Sequence, residues 1–126
     1  MKEPMYFEFH QSQRRAATWS PNVDVCERAD EIIIFVEMPG VDRSDVQLTW
    51  NDGVLTISGQ KRPQLPERGQ ATYLCVERSY GQFQREIEIN IRIDYKNAKA
   101  ELHDGLMRIR LPKTTSKPET SNIPIL

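Results

Sequence analysis

Hydrophobic and polar residues alternate along most of the chain between Val23 and Leu111. Apolar side chains at every second position place one face of an extended strand in a core and the other in water, whereas a helix needs a spacing of three and four. The apolar residues are largely β-branched, which suits a pleated sheet. The predicted core consists of the alternating apolar positions Ile32, Ile34, Val36, Met38, Val46, Leu48, Trp50, Leu55, Ile57, Ile87, Ile89, Ile91, Ile93, Met107, Ile109 and Leu111.

Short turns separate these predicted strands. Asp52-Gly53 and Asp104-Gly105 each precede an alternating run, and Asp-Gly pairs are typical of tight hairpins. Pro39-Gly40 ends another run, and the only helical candidate is a single turn over residues 42–45. Many short strands with regularly spaced turns predict an all-β chain, folded as an immunoglobulin-like antiparallel β-sandwich.

Two segments do not fit the sandwich pattern. Prolines and charged residues over 61–71 predict a projecting loop, and a strand-like run follows it over 73–78. Residues 114–122 are rich in Thr, Ser, Lys and Pro, as in a flexible linker. We therefore expect an N-terminal arm over 1–18, a domain over 19–113 with a strand-bearing loop at 61–78, and a C-terminal extension over 114–126.

The extension ends in an apolar tip, Ile123-Pro124-Ile125-Leu126. In an extended chain Ile123 and Ile125 point to the same side, ~6.5 to 7 Å apart, and Pro124 keeps the backbone extended. This arrangement predicts a two-pronged plug. The linker of about 12 residues spans up to about 40 Å, which is enough to reach another subunit.

The order and spacing of these features resemble the small heat shock proteins of the Hsp20/α-crystallin family, bacterial and plant type. The matching segments are Pro21-Asn22-Val23-Asp24-Val25, Met38-Pro39-Gly40-Val41, Gly53-Val54-Leu55-Thr56-Ile57-Ser58-Gly59, Glu77-Arg78-Ser79-Tyr80-Gly81-Gln82-Phe83, Leu111-Pro112-Lys113 and Ile123-Pro124-Ile125. The resemblance implies an ATP-independent chaperone, or holdase, that binds unfolding client proteins and prevents their aggregation. It also implies a dimer-based homo-oligomer and ATP-dependent refolding chaperones as downstream partners.

The same resemblance implies roles for individual residues. The dimer of this family forms when a strand in the central loop pairs with the partner's sandwich edge, and the tail isoleucines dock in a groove between two strands. By position, the groove strands are residues 32–38 and 98–102. The implied interface residues are Tyr73, Leu74, Cys75, Val76, Arg78 and Arg85, and the groove candidates are Ile33, Phe35, Ala98, Ala100 and Leu102.

Arg85 is a charged residue at an inward position of the alternation. It shares the inward parity of Phe83 and Ile87, where a charge is costly unless it is paired or near an edge. Its position matches the arginine that the family places at the dimer interface. The alternative is a side chain that extends into solvent at the end of the strand.

The N-terminal arm carries four soft or aromatic side chains, Met5, Tyr6, Phe7 and Phe9. Such side chains conform to varied apolar surfaces, so we expect the arm to contact clients. Packing inside the oligomer is a compatible alternative.

Charge and composition restrict the possible partners and the compartment. The 17 Lys and Arg against 18 Asp and Glu give a net charge of −1, which does not favour nucleic-acid or membrane partners. We see no secretory signal and expect a cytoplasmic protein. Cys26 and Cys75 stand singly, as expected for reduced structural thiols that remain open to stress-induced oxidation.

We find no candidate catalytic residue, metal site or cofactor site. His10 and His103 are far apart and lack further ligands at metal-binding spacing, and the phosphate-binding and nucleophile motifs are absent. Two alternatives to the holdase remain: a p23-like co-chaperone and another β-sandwich binding module. The central loop and the apolar tail do not favour the first, and the scattered aromatic residues do not favour the second.

Overall fold

Two four-stranded antiparallel sheets pack face to face in the computed structural model, which describes residues 19–64, 71–115 and 121–126. Sheet 1 contains, in spatial order, β1 (Asn22–Glu27), β2 (Glu31–Glu37), β7 (Leu106–Pro112) and β6 (Lys99–His103). Sheet 2 contains β5 (Gly81–Glu88), β4 (Val54–Lys61), β3 (Val46–Asn51) and β8 (Ser121–Asn122). The predicted antiparallel β-sandwich is confirmed.

The apolar faces of the two sheets form one core. Trp50 from sheet 2 and Ile34 and Ile109 from sheet 1 have no exposed surface, and burial of a large apolar side chain stabilises a fold by about 1.5 to 3 kcal/mol. Every predicted core position is buried except Ile91, which is half-buried. The alternation therefore predicted the buried faces of β2, β3, β4, β5 and β7.

Two tight hairpins set the register of the strands. Asp52 and Gly53 have φ angles of 47° and 83°, and Asp104 and Gly105 have angles of 51° and 79°. Positive φ at both central residues is the geometry of the hairpin turn whose twist matches that of the strands it joins. A shift of one residue would turn every side chain to the other face, so these turns keep the apolar residues inward.

The isoleucine run that starts at Ile87 is not one continuous strand. β5 ends at Glu88, which pairs with Val54, the first residue of β4. The next residue, Ile89, donates its N–H to the Gly53 carbonyl at 2.8 Å, so the chain passes the hairpin and has no further partner in β4. Ile93 is buried and forms an isolated bridge with Lys113. The inward direction of these side chains was predicted correctly, but the length of the strand was not.

Helical structure in the described residues is limited to two short 3-10 turns, Arg43–Asp45 and Tyr95–Asn97. The first coincides with the helical turn predicted from the sequence. Across the same residues, the structure has no helix long and apolar enough to cross a membrane.

Candidate functional site

The C-terminal tail lies between the edges of the two sheets, in a space that we call the tail groove. On the side of sheet 2, the tail forms β8, in which Asn122 pairs with Thr49 of β3. The N–H of Ile123 then donates to the Leu48 carbonyl at 3.0 Å. The tail therefore extends sheet 2 by one short strand beyond β3.

The last residues of the tail contact sheet 1 instead. Ile125 forms a parallel bridge with Ala100 of β6. The N–H of Leu126 donates to the Ala100 carbonyl at 2.6 Å, and the N–H of Leu102 donates to the Leu126 carbonyl at 3.3 Å. One short segment thus links β3 to β6 and closes the gap between the two sheets.

Side chains of the tail alternate between the groove and solvent. Ile123 is 3% exposed and joins the core, and Ile125 is half-buried against it. Pro124 and Leu126 are exposed. The two isoleucines therefore provide the apolar contact, and the residues between and after them face water.

The two walls of the tail groove are β6 and β3. Ala100 is buried and Leu102 half-buried along β6, and Ala98 is buried just before that strand begins. A cavity of about 340 Å³ lies beside the tail, and its other walls are Arg43 and Ser44 of the 3-10 turn and Val46, Gln47 and Leu48 of β3. The tail therefore does not fill the space beside β3 completely.

The strand β2, which the family resemblance implied as a wall of the groove, does not border the tail. It is an interior strand between β1 and β7 and has no free backbone edge for a tail. Ile33 and Phe35 have the opposite parity to the core residues of β2, so they lie on the outer face of sheet 1. The assignment of Ile33 and Phe35 to the groove is therefore corrected, and β3 takes the place of β2.

The strand-like run at 73–78 is not a strand in the single chain. It forms no strand pairing and is exposed throughout. Leu74 is 96% exposed, Val76 58% and Tyr73 57%, while Cys75 and Arg78 are exposed as well. Soluble proteins rarely leave such a run of large apolar side chains in water, and when they do it commonly marks a contact with another protein.

The base of this loop is anchored to the sandwich. Arg62 forms a two-pronged ion pair with Asp45, at 2.8 and 2.9 Å, and this hydrogen bonding lowers the pKa of Asp45. Lys61 is 9% exposed, and its Nζ lies 4.7 Å from the centre of the Trp19 ring. Burial, and then the charge of Arg78, lowers the pKa of Lys61. The loop therefore leaves from a fixed point on β4.

Arg85 connects the two sheets at the other end of the loop. It lies opposite the buried Ile57 in the pairing of β5 with β4, and its Nη1 donates to the Pro21 carbonyl at 2.8 Å. Pro21 is fully buried and immediately precedes β1. Arg85 therefore holds the start of β1 against the edge of sheet 2.

Three further predictions concern the cysteines, metal binding and the N-terminal arm. Both cysteines are free and exposed. In the part of the chain that the structure describes, no group of three His, Cys, Asp or Glu side chains could hold a metal ion. Met5, Tyr6, Phe7 and Phe9 lie outside the described residues.

Comparisons with known proteins identify the family. The Hsp20/alpha crystallin family model matches residues 24–126, which include the tail and the loop. Heat shock protein 16 of Schizosaccharomyces pombe is 36% identical over 107 residues, covering 84% of this chain and 75% of that protein. The chain belongs to the Hsp20/alpha crystallin family. Members of this family are small heat shock chaperones that form homo-oligomers and bind unfolded clients.

Further relatives and solved structures agree with this membership. Small heat shock protein C4 of Rickettsia felis is 35% identical over 94 residues, covering 75% of this chain and 57% of that protein. The structure of heat shock protein 16.0 from S. pombe superposes with a TM-score of 0.67 at 34% identity, covering 82% of this chain and 97% of that one. A small heat shock protein from Xylella fastidiosa, described as having a distinct high order structure, gives a TM-score of 0.66 at 27% identity, with 82% and 94% covered.

Proposed function

We propose that this small heat shock chaperone acts as a holdase, which binds unfolding proteins without ATP and keeps them from aggregating. In this proposal the working form is a dimer-based oligomer. The observation that carries it is that the sandwich presents two surfaces suited to other chains, the tail groove and the exposed apolar loop. A p23-like co-chaperone or a carbohydrate-binding module would need neither surface.

The tail groove is proposed to accept the tail of a neighbouring subunit. In the single chain the groove is filled by the chain's own tail, through backbone hydrogen bonds and isoleucine burial that a neighbour's tail could make equally. The connection from Pro112 to Ser121 spans up to about 30 Å when extended, which allows such an exchange. The buried Ile123 contributes about 1.5 to 3 kcal/mol and the half-buried Ile125 less, before ordering costs, so one contact is reversible and many together are strong.

The loop is proposed to pair with β1 of a partner subunit. β1 is the outer strand of sheet 1, and within the described residues its far edge has no partner. Edge strands of this kind are ready to pair with another chain. Leu74 and Val76 share a parity and would extend the inner face on which Val23 and Val25 are half-buried. Arg85 supports this contact indirectly, because it fixes the start of β1 through the Pro21 carbonyl.

The interface residues in this proposal are Tyr73, Leu74, Cys75, Val76 and Arg78, with Arg85 as a positioning residue. The arm residues Met5, Tyr6, Phe7 and Phe9 are proposed to contact clients, because soft and aromatic side chains adapt to varied apolar surfaces. ATP-dependent chaperones would then refold the held clients. We place this activity in the cytoplasm and propose neither nucleic acid nor membrane as a partner.

An aggregation assay tests the holdase proposal. A heat-labile enzyme is heated with an equal mass of this protein in the absence of nucleotide, and light scattering is followed over time. We expect the scattering to fall strongly relative to the same mass of an inert protein, and we expect added ATP to make no difference. Unchanged scattering would refute the holdase and favour the co-chaperone alternative.

A further inference from the structure

The two cysteines of the chain occupy the two surfaces that we propose to meet in the dimer. Cys26 lies in β1, the outer strand of sheet 1, and Cys75 lies in the exposed loop. Both thiols are free and exposed. They are the only cysteines in the sequence, so any disulfide between identical chains must use one or both of them.

Cys26 lies on the outer face of sheet 1. Along β1, Val23 and Val25 are half-buried against the core, whereas Cys26 has the opposite parity and is exposed. Its Cα partner in β2 is Ile33, another residue of the outer face. The Cys26 side chain therefore stands on the solvent side of an edge strand, next to the position that an added strand would take.

Cys75 would reach the same face when the loop pairs with β1. Leu74 and Val76 are the large apolar side chains of one parity, and burial favours placing them on the inner face of the joined sheet. Successive side chains of a strand point to opposite faces, so Cys75 then points outward. Both cysteines thus lie on the outer face of the joined sheet.

The register of the pairing decides whether the two thiols can bond. Registers that keep Leu74 and Val76 inward differ by steps of two residues, since a single step turns every side chain over. With the loop antiparallel to β1, one of them places Cys75 directly opposite Cys26, with Cα atoms about 4.5 to 5.5 Å apart, which is within the span of about 4.4 to 6.8 Å that a disulfide needs. In the adjacent allowed registers the cysteines are diagonal neighbours, about 7 to 8 Å apart, which is beyond that span.

We propose that under oxidative stress Cys26 of one subunit and Cys75 of its partner form a disulfide that locks the dimer in this one register. The proposal rests on the strand pairing proposed above. Hydrogen peroxide is a sufficient oxidant: one thiol loses its proton and attacks a peroxide oxygen as the thiolate, and the hydroxide that leaves takes up that proton, which gives a sulfenic acid and one water. The thiol of the other subunit likewise attacks that sulfur as its thiolate, and the hydroxide that it displaces takes up the second proton to become a second water. The two thiols lose two electrons, one peroxide becomes two waters, and a thiol reductant reverses the bond.

The symmetry of the dimer sets the number of disulfides that can form between its two subunits. In a two-fold dimer each subunit supplies one Cys26 and one Cys75, so two equivalent disulfides can form. Covalently joined subunits can no longer separate, and the oxidised dimer therefore exchanges subunits only as a pair.

Cysteine variants of the full chain test this pairing. The wild type and the variants Cys26→Ser and Cys75→Ser are treated with hydrogen peroxide and run on a denaturing gel without reductant. We expect a covalent dimer for the wild type, none for either variant alone, and a dimer when the two variants are mixed before oxidation. The mixture restores one disulfide because each variant supplies the cysteine that the other lacks, and peptide mass spectrometry should find Cys26 joined to Cys75.

Other outcomes of this experiment overturn the proposal in different ways. A covalent dimer of either variant alone would show a link between identical cysteines, and a disulfide within one chain would show that the two residues meet without a partner. Light scattering of the reduced wild type separates the remaining cases. A reduced protein that is dimeric or larger but yields no covalent band would overturn the disulfide alone, whereas a reduced chain that is monomeric would overturn the strand pairing on which it rests.

Discussion

Replacing Ile123 and Ile125 together by aspartate is expected to release the tail and break the oligomer into dimers. Ile123 is 3% exposed in the tail groove and Ile125 is half-buried beside Ala100. The double substitution removes about 1.5 to 3 kcal/mol for the fully buried Ile123 and a smaller amount for the half-buried Ile125, and a carboxylate at position 123 would have to leave water without a partner. In the proposed oligomer many tails act together, so the losses combine. The shift is measured as a fall in mass by light scattering.

The tail itself offers a matched control for this experiment. Pro124 and Leu126 are exposed, so Pro124→Asp with Leu126→Asp adds the same two charges to the same segment on its solvent side. We expect this variant to keep the mass of the wild type. An unchanged mass in the isoleucine variant, or an equal fall in both variants, would contradict insertion of the isoleucines into the groove.

In the background of Ile123→Asp with Ile125→Asp, which is expected to leave isolated dimers, replacing Leu74 by aspartate is expected to separate each dimer into monomers. Leu74 is 96% exposed in the single chain, so its loss should leave the stability of the sandwich unchanged. In the proposed dimer Leu74 enters the inner face of the partner's sheet, where burial contributes about 1.5 to 3 kcal/mol and an unpaired carboxylate is costly. Each dimer contains this contact twice. Sedimentation velocity measures the separation, and urea unfolding of the variant checks the fold.

The neighbouring residue provides the control for this second variant. Cys75 is also exposed, and in the proposed pairing it faces outward, so Cys75→Asp introduces the same charge one position away. We expect its dimer to persist under reducing conditions. A dimer that survives Leu74→Asp would contradict the strand pairing. A marked loss of stability on urea unfolding would instead mean that Leu74 packs against its own chain.

Local patterns predicted the sandwich but not its strand order. Alternation identified the buried faces of β2, β3, β4, β5 and β7 because burial of a side chain depends on its own parity. Asp-Gly pairs marked both tight hairpins because they adopt positive φ. The groove wall was misassigned because the family resemblance supplied β2 by position, and neither that resemblance nor alternation shows which strands lie at an edge. Ile32, Ile33 and Ile34 are all buried, so this part of β2 departs from strict alternation, but burial of both faces does not show whether a strand lies at an edge.

Two predicted strands differ from the observed ones because a strand forms only where a partner strand pairs with it. β5 ends at Glu88 since β4 begins opposite it at Val54, although the isoleucine alternation continues. The run over 73–78 has the composition of a strand, yet the described residues of its own chain provide no strand that pairs with it. A sequence shows the capacity to form a strand, whereas pairing depends on which backbone edges remain free.

The mass of the wild-type chain in solution tests the central claim most directly, namely that each sandwich is one unit of an assembly built from dimers. Multi-angle light scattering under reducing conditions measures this mass independently of molecular shape. We expect a particle larger than a dimer, with a mass that is an even multiple of the 14.7 kDa chain. A particle of 14.7 kDa that persists as the concentration is raised would contradict both the exchange of tails and the pairing of loops.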